Sequence, residues 1–453
     1  MHSFNNIQQV YFLGIGGIGM SALARYFNKI GVQVTGYDKT PTELTNQLQQ
    51  EGITITFEDS IDTLNKNADL VIYTPAIPKN HIQYNWYLEH NFTIKKRAVV
   101  LGEIANQYFQ IAVAGSHGKT STASIVTHIL KTANKDVAAF LGGIATNYNT
   151  NFLFGNQYAV VEADEFDRSF MSLKPNLAII TAIDSDHLDI YGDLSAIEKS
   201  FTNFTYNIKN DGCIVHHLSV KKELLNPEVK NISYHFNDTN ANVYTQNFRI
   251  ENNSYVFDIN VNGNSIADIH YYYGGKHNIE NALAAVTIAY LLEIDTEHIK
   301  TALATFKGVK RRFEIHHQSN KYILIDDYAH HPKELEAVIH AVKELYPNKQ
   351  LTVVFQPHLY SRTKDFYKEF AQSLSLADTV LLFDIYPARE LPIEGVTSQL
   401  ILDEITTTKK QIVAKEALVN TLKNINEKEI ILTVGAGDIN LLIDDIKTML
   451  TNE

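Results

Sequence analysis

Gly115-Ser-His-Gly-Lys-Thr120 follows a short apolar run, Ile111 to Ala114, and leads into Ile125, Val126 and Ile129, which recur at helical spacing. A strand that breaks into a glycine loop and re-enters a helix aims loop amides and free helix N–H groups at one point. The helix dipole favours an anion there as well. Gly115, Ser116, His117 and Gly118 would line that point, and Ser121 would sit in the first helical turn. Lys119 would reach the terminal phosphates of a nucleotide, and the Thr120 hydroxyl would sit on Mg2+. The loop is shorter than the full G-x-x-x-x-G-K-[ST] pattern, which wants glycine where the chain has Val113. Two acidic clusters end later apolar runs. Tyr158 to Val161 runs into Glu162-Ala-Asp-Glu165-Phe-Asp167, and Leu177 to Ala182 runs into Asp184-Ser-Asp186-His187-Leu-Asp189. Carboxylates suit Mg2+, so either cluster could hold a Mg2+-nucleotide beside the loop, and His187 suits a second ion. Either cluster alone would also suit a solvated turn.

A second glycine loop lies near the start. Gln9 to Leu13 reads as a strand, Gly14-Ile-Gly16-Gly17-Ile18-Gly19 matches G-x-G-x-x-G, Met20 to Ile30 reads as a helix, and Val32 to Tyr37 as a strand ending at Asp38. This fingerprint places a pyrophosphate on a helix N-terminus without saying whose pyrophosphate it is. Asp38 also fits a strand-end turn. Asp69 to Tyr73 is a further strand, with the stiff loop Thr74-Pro-Ala-Ile-Pro78 at its carboxyl end. Farther on, His277, Asn278 and Asn281 fall within one turn of an alanine-rich helix and can face one ligand, although Asn278 is equally suited to capping. From Tyr322 onward, strands end in Asp326-Asp-Tyr-Ala-His330-His331-Pro, Gln356-Pro-His358-Leu-Tyr-Ser-Arg362, Asp384-Ile-Tyr-Pro-Ala-Arg389-Glu and Gly435-Ala-Gly-Asp438. His330, His331 and His358 thus sit on adjoining strand-end loops, where α/β sheets hold their ligands.

These motifs need strands alternating with helices. The expected fold is α/β, with three domains each built on a mainly parallel doubly wound sheet. The expected boundaries are 1–108, 109–313 and 314–453. Within the central, P-loop-like domain, residues 232–273 change character to β-rich runs parted by Asn262-Gly263, the signature of a small antiparallel insertion. The 453 residues are 45% apolar and 20% charged, as in a soluble globular protein. A net charge of −12 argues against non-specific binding to nucleic acid or anionic membrane. Cys213 is the sole cysteine, so no intramolecular disulfide forms, in keeping with a reducing compartment. The first residues are polar, without the apolar core of a signal peptide, and no apolar run approaches the ~20 residues that span a bilayer. A soluble, cytoplasmic protein is expected.

Taken together and in order, these motifs resemble the Mur ligases of peptidoglycan synthesis. The match rests on Gly14-Ile-Gly-Gly-Ile-Gly-Met20-Ser21, Gly115-Ser-His-Gly-Lys-Thr120, Glu162-Ala-Asp-Glu-Phe-Asp167, Asp186-His-Leu-Asp-Ile-Tyr-Gly192, His277-Asn278, Arg311-Arg312-Phe313, Asp326-Asp-Tyr-Ala-His-His-Pro332, Gln356-Pro-His-Leu-Tyr-Ser-Arg-Thr363 and Pro387-Ala-Arg-Glu390. The resemblance implies an ATP-dependent ligase joining L-alanine to the lactyl carboxylate of UDP-N-acetylmuramate through an acyl phosphate, working as a monomer or weak homodimer. It implies that Gly14, Gly16 to Ser21, Asp38 and Thr74 hold the UDP-sugar in the first domain. ATP and Mg2+ would be held in the second by the Gly115–Ser121 loop, Glu162, His187, Asn278 and Asn281, with Arg312 and Asp326 near the nucleotide. His331, His358 and Arg362 would line the amino-acid site, and Lys119, His187, His331 and Arg362 would carry the chemistry.

Two positions depart from the family. Many relatives use a carbamoylated lysine after the Asp-His motif, where this chain has Phe201; its alanine-adding branch lacks that lysine too. Relatives usually read His-Arg-Tyr-Ser-Arg where this chain has Leu359, leaving Arg362 to hold the amino-acid carboxylate, with His358 or Arg389 as a second partner. Three rival readings stay open from residues alone. They are an NAD-dependent dehydrogenase, a nucleotide-gated regulator, and a ligase that attaches an intact tripeptide to the same sugar nucleotide.

Overall fold

A computed structural model describes residues 4, 6–184, 191–388, 390–425 and 429–452. Three sheets carry the described chain. The first holds β1 (Gln9–Leu13), β2 (Gln33–Tyr37), β3 (Thr54–Thr56), β4 (Leu70–Tyr73) and β5 (Ile94–Lys96), in the order β3-β2-β1-β4-β5. All its pairings are parallel. Parallel strands need covered faces, and the β1 and β4 bodies are apolar and buried accordingly. The strand order reverses between β1 and β4, so the crevice at their carboxyl ends is framed by the Gly14 loop and Thr74.

The second sheet holds β6 (Phe109–Ala114), β7 (Val137–Ala145), β8 (Thr150–Leu153), β9 (Tyr158–Glu162), β10 (Leu177–Ile180), β11 (Cys213–His217), β12 (Lys230–His235), β13 (Val243–Glu251), β14 (Ser254–Val261) and β15 (Asn264–Tyr271). Their order is β15-β14-β13-β12-β11-β10-β6-β9-β7-β8. From β7 across to β13 every pairing is parallel, while β8 runs antiparallel to β7. The β-rich stretch expected as an insertion does not form a separate sheet. Its strands extend the central one, and the two-residue links β13–β14 and β14–β15 make those neighbours hairpins. The phosphate loop follows β6, with β9 and β10 directly beside it.

The third sheet holds β16 (Glu314–Gln318), β17 (Ile323–Asp327), β18 (Leu351–Phe355), β19 (Thr379–Leu382), β20 (Lys409–Ile412) and β21 (Ile430–Val434), in the order β16-β17-β21-β18-β19-β20. Only β16 is antiparallel, an edge strand on a doubly wound sheet. The contacts divide the chain into two compact units. The first comprises residues 1–247, 257–269 and 279–305, and the second 248–256, 270–278 and 306–453. The first two sheets build one apolar core in the first unit, in which Tyr26 of the helix Ile18–Lys29 packs on Phe140 and Phe152. A polar bond seals that junction: buried Arg25 pairs with Glu51 at 2.7 Å and donates to Asn151, whose amide donates to the Ser21 hydroxyl at 3.0 Å. Among the described residues no helix is long and apolar enough to cross a membrane.

His128 lies inside the helix Lys119–Thr132, bonded to the Tyr148 and Thr305 hydroxyls at 2.8 and 3.0 Å. Burial pushes its imidazole down to about 4 from 6.5. The unfolded chain therefore takes up this proton first as pH falls. The stability tied to His128 is complete above pH 6.5 and is lost as pH drops toward 4. That loss amounts to roughly 3 kcal/mol. His128→Gln should flatten the pH dependence of the urea midpoint across that window; an unchanged slope would show that the folded imidazole already carries its proton.

Candidate active site

The phosphate loop needs two left-handed residues, and both are glycine: Gly115 at φ +130° and Gly118 at φ +78°. A side chain on Gly118 would also stand 2.5 Å from Asn281 Oδ1. The Lys119–Thr132 helix starts directly at Gly118 without a side-chain cap, so its first amides stay open toward an anion. Lys119 Nζ donates to the Gly115 carbonyl at 2.7 Å and to Glu165 Oε1 at 2.9 Å. An ammonium has three donors, so one is left for a phosphate oxygen. Thr120 Oγ1 donates to the Glu162 carboxylate at 2.9 Å, and the Gly142 amide reaches the same carboxylate at 2.8 Å. A hydroxyl and a carboxylate from two neighbouring elements make a hard oxygen pair that suits Mg2+. Gly142 has room for the carboxylate only because it has no side chain: a Cβ there would overlap Glu162 Oε2.

The loop is also tied to the strand beside it. The Ser116 amide donates to Ala182, and its hydroxyl accepts from the Asp184 amide at 2.9 Å, tying the loop to the end of β10. The His117 side chain is exposed, 3.8 Å from Asp184. Ser121 is buried in the first helical turn. Asn281 reaches the loop from behind and accepts the Thr122 hydroxyl at 3.1 Å. The Asn278 side chain donates to the Gly274 carbonyl at 2.7 Å, the opposite sense to an N-cap bond, in which a side-chain oxygen accepts a backbone amide. Of the first acidic cluster, Glu162 and Glu165 turn to the loop, whereas Asp167 pairs with Lys96 at 3.1 Å. His187, with Asp186 and Asp189, lies outside the described residues, as does Arg389. Phe201 is fully buried against Phe170, with ring centroids 5.3 Å apart, so no lysine function exists there.

In the first sheet, Gly14 takes φ +85° and packs on Thr74, while the Gly14 and Ile15 amides bond the Tyr37 carbonyl. Asp38 accepts the Gly16 amide at 2.7 Å and so braces the loop. The helix Ile18–Lys29 opens at Gly17 with no side-chain cap and no acidic residue in its first turn. A cavity of about 300 Å3 joins this helix start, Gly17 to Met20, with Thr74, Phe140 to Gly142, Glu162 and Asp164. Arg97 also lines it. Neither Arg97 nor the role of Gly142 was legible in the sequence, because a lone arginine and a glycine inside an apolar run carry no motif.

The second unit gathers the remaining candidates. Asp326 is fully buried, bonded by Thr433 Oγ1 at 2.7 Å and Arg311 Nε at 3.3 Å, and burial raises its carboxyl. It is Arg311, not Arg312, that reaches Asp326; Arg312 is exposed. Arg362 Nη1 lies 3.4 Å from His358 Nδ1. The His330 and His358 rings are 6.2 Å apart, and His358 stacks on Tyr386. His331 and His358 both have lowered pKa values, first through burial, then through the charge of Arg362. This is a guanidinium flanked by neutral imidazoles, suited to a carboxylate beside a group that must lose a proton. Glu390 bonds the Ser361 amide at 2.9 Å and so fixes the start of the helix Tyr360–Leu374 that carries Arg362.

Comparison with known proteins gives one family. The models described as Mur ligase family, catalytic domain; Mur ligase middle domain; and Mur ligase, glutamate ligase domain match residues 9–109, 113–289 and 311–437. The chain is 50% identical to the UDP-N-acetylmuramate–L-alanine ligase of Flavobacterium psychrophilum, over 98% of each chain. It is 48% identical to the ligase of the same name from Flavobacterium johnsoniae, over 99% of each. Among solved structures it is similar to the UDP-N-acetylmuramate-alanine ligase of Thermotoga maritima, with a TM-score of 0.84 and 29% identity over 98% of this chain and 99% of that one. A murein peptide ligase from Psychrobacter arcticus, at 24% identity and a TM-score of 0.67 over 98% and 99%, shares the fold.

Leu359, at the start of the Arg362 helix, adopts φ +73° and ψ 135°, backbone that side-chain-bearing residues avoid. Such a residue costs on the order of 1–3 kcal/mol. Leu359→Gly should therefore raise the stability of the protein by about 1 kcal/mol, after allowing for the greater freedom of glycine in the unfolded chain. Chemical denaturation checks this, and a fall in stability would mean that the leucine side chain contributes more than its backbone costs.

Proposed function

The chain belongs to the Mur ligase family, and we propose from that premise that it joins L-alanine to the lactyl carboxylate of UDP-N-acetylmuramate at the expense of ATP, in peptidoglycan precursor synthesis. The observation that carries the reading is full-length similarity, at 50% identity, to ligases of that name. The Lys119, Thr120 and Glu162 constellation supports it from the chemistry. The domain assignment follows: residues 1–108 take the UDP-sugar, 109–313 the ATP, and 314–453 the amino acid. Nucleotide substrates made inside the cell set the reaction in the cytoplasm.

A carboxylate and an amine do not condense in water, because the leaving group would be hydroxide. The lactyl carboxylate oxygen instead attacks the γ-phosphorus, ADP leaves, and an acyl phosphate forms. Lys119 offsets the repulsion between carboxylate and triphosphate. Mg2+, which Thr120 and Glu162 would hold, supplies further neutralisation of phosphate charge. The alanine amine, once neutral, attacks the acyl carbon; the tetrahedral oxyanion collapses, and inorganic phosphate departs. Arg362 receives the alanine carboxylate through its planar fork. His331, kept neutral by burial and by Arg362, is competent to take the ammonium proton.

Phosphate release with Mg2+-ATP, UDP-N-acetylmuramate and a panel of amino acids plus the tripeptide tests the reading. Turnover should be greatest with L-alanine; turnover with the tripeptide alone would replace it with the recycling reaction. Lys119→Ala should lower kcat by about 10²–10³ in a folded protein, and near-normal turnover would remove this loop from the mechanism. Arg362→Ala should raise the KM for L-alanine by about one to two decades while leaving that for UDP-N-acetylmuramate little changed. Arg362→Lys should rescue only in part, and an unmoved alanine KM would leave Arg362 a structural residue.

A further inference from the structure

We propose that Arg97 holds the lactyl carboxylate of the sugar-nucleotide substrate, an assignment that rests on the function proposed above. Arg97 opens the helix Arg97–Ala105, and its guanidinium lies against the first turn of the helix Ile18–Lys29. A side chain on Gly19 would stand 2.9 Å from Arg97 Nη1, so the last glycine of the fingerprint is what admits the arginine. Two positive ends therefore meet with no anion of the first helical turn between them: the open amides of one helix and the arginine. The only charged partner of Arg97 among the described residues is Asp164, at 3.7 Å, too far for a hydrogen bond. Its planar donors face the cavity of about 300 Å3 that runs from the Gly17 helix start to Glu162.

Among the residues lining that cavity, Arg97 is the only cation, opposite Glu162 and Asp164. A UDP-sugar brings two anions. The pyrophosphate has the helix amides of the glycine loop. The carboxylate has to reach the end of the cavity where Glu162 and Thr120 stand, and two acidic walls there would repel it without a counter-charge. Arg97 is placed to supply that charge and to present two parallel donors to both carboxylate oxygens.

Binding of UDP-N-acetylmuramate and of UDP-N-acetylglucosamine, which keeps the pyrophosphate but lacks the lactyl ether, separates the possibilities in the full-length protein. Arg97→Ala should weaken UDP-N-acetylmuramate by about 10- to 100-fold and leave UDP-N-acetylglucosamine unchanged, with ATP binding retained as the sign of an intact fold. Arg97→Lys should recover part of the loss. Equal weakening of both nucleotides would assign Arg97 to the pyrophosphate, and no weakening of either would make it structural; both results overturn the proposal. If Arg97→Ala also fails to bind ATP, Arg97→Gln, which keeps the length and removes the charge, is measured in its place against the same outcomes. Should the parent protein itself not bind UDP-N-acetylmuramate, the function proposed above fails, and this assignment fails with it.

Discussion

The Glu162 carboxylate is the contact on which the central site depends. It ends β9, the parallel neighbour of β6, so the strand register itself delivers it to the loop that β6 feeds. There it accepts the Thr120 hydroxyl and the Gly142 amide. Three segments far apart in sequence are thereby fixed around one charge. A buried or half-buried carboxylate without such donors would be costly. With them, its orientation is set by the fold itself. Gly142 is part of that bargain, since only a glycine leaves the carboxylate its place.

Charge is balanced differently in the two units. In the first, the cation Lys119 is held by Glu165, a residue only 2% exposed, so the loop presents a positioned ammonium instead of a mobile one. One Glu165 oxygen, Oε2, finds no partner among the described residues, which leaves the pair incompletely neutralised by the protein. In the second, Arg311 spends its guanidinium internally, on Asp326 and the carbonyls of Gly435 and Gly437. Asp327 beside it accepts the Phe313 and Ala329 amides at 2.7 and 2.8 Å, and burial raises its carboxyl to about 6. These acids brace the strand-end loops. Arg362, by contrast, faces imidazoles whose pKa values burial and its own charge lower.

The apolar strand bodies of all three sheets were legible in the sequence because parallel strands buried on both faces must be continuously apolar. Gln9–Leu13, Leu351–Phe355 and Ile430–Val434 fall where the sequence places them. The residues after β6 and β9 were legible for the same reason: a polar run at the end of a buried strand needs a purpose. What escaped the sequence is what depends on tertiary approach. The strand β7 contains Gly142-Gly143, which lowers its β signal although Gly142 serves the site. Arg97 belongs to no motif, and its meaning comes only from standing against Gly19. Asp38, which has the spacing of a ribose ligand, also accepts the Gly16 amide, a contact that spacing alone does not give. Sequence spacing shows which residues can reach a place; it does not show which competing donor reaches them sooner.

The two departures from the family follow from the same competition for space and charge. Phe201 is fully buried and meets Phe170 edge-to-face, while Phe170 stacks on Phe204. An ionised carbamate at that point would have to displace apolar packing and would find no donor in the ring faces, so its absence is compatible with a tighter core. The central loop meets its need for negative charge from β9 and the turn after it, through Glu162 and Glu165. Leu359 shows the opposite case, in which an apolar side chain holds a backbone conformation that only glycine adopts freely. Its amide donates to the Tyr386 carbonyl at 3.0 Å and its carbonyl accepts the Thr363 amide at 3.1 Å. Together they hold Leu359 at the entry to the helix that carries Arg362. The backbone at Leu359 stores strain at the entry to the helix that carries Arg362, and glycine, which adopts the same dihedrals freely, would keep both bonds while relieving it.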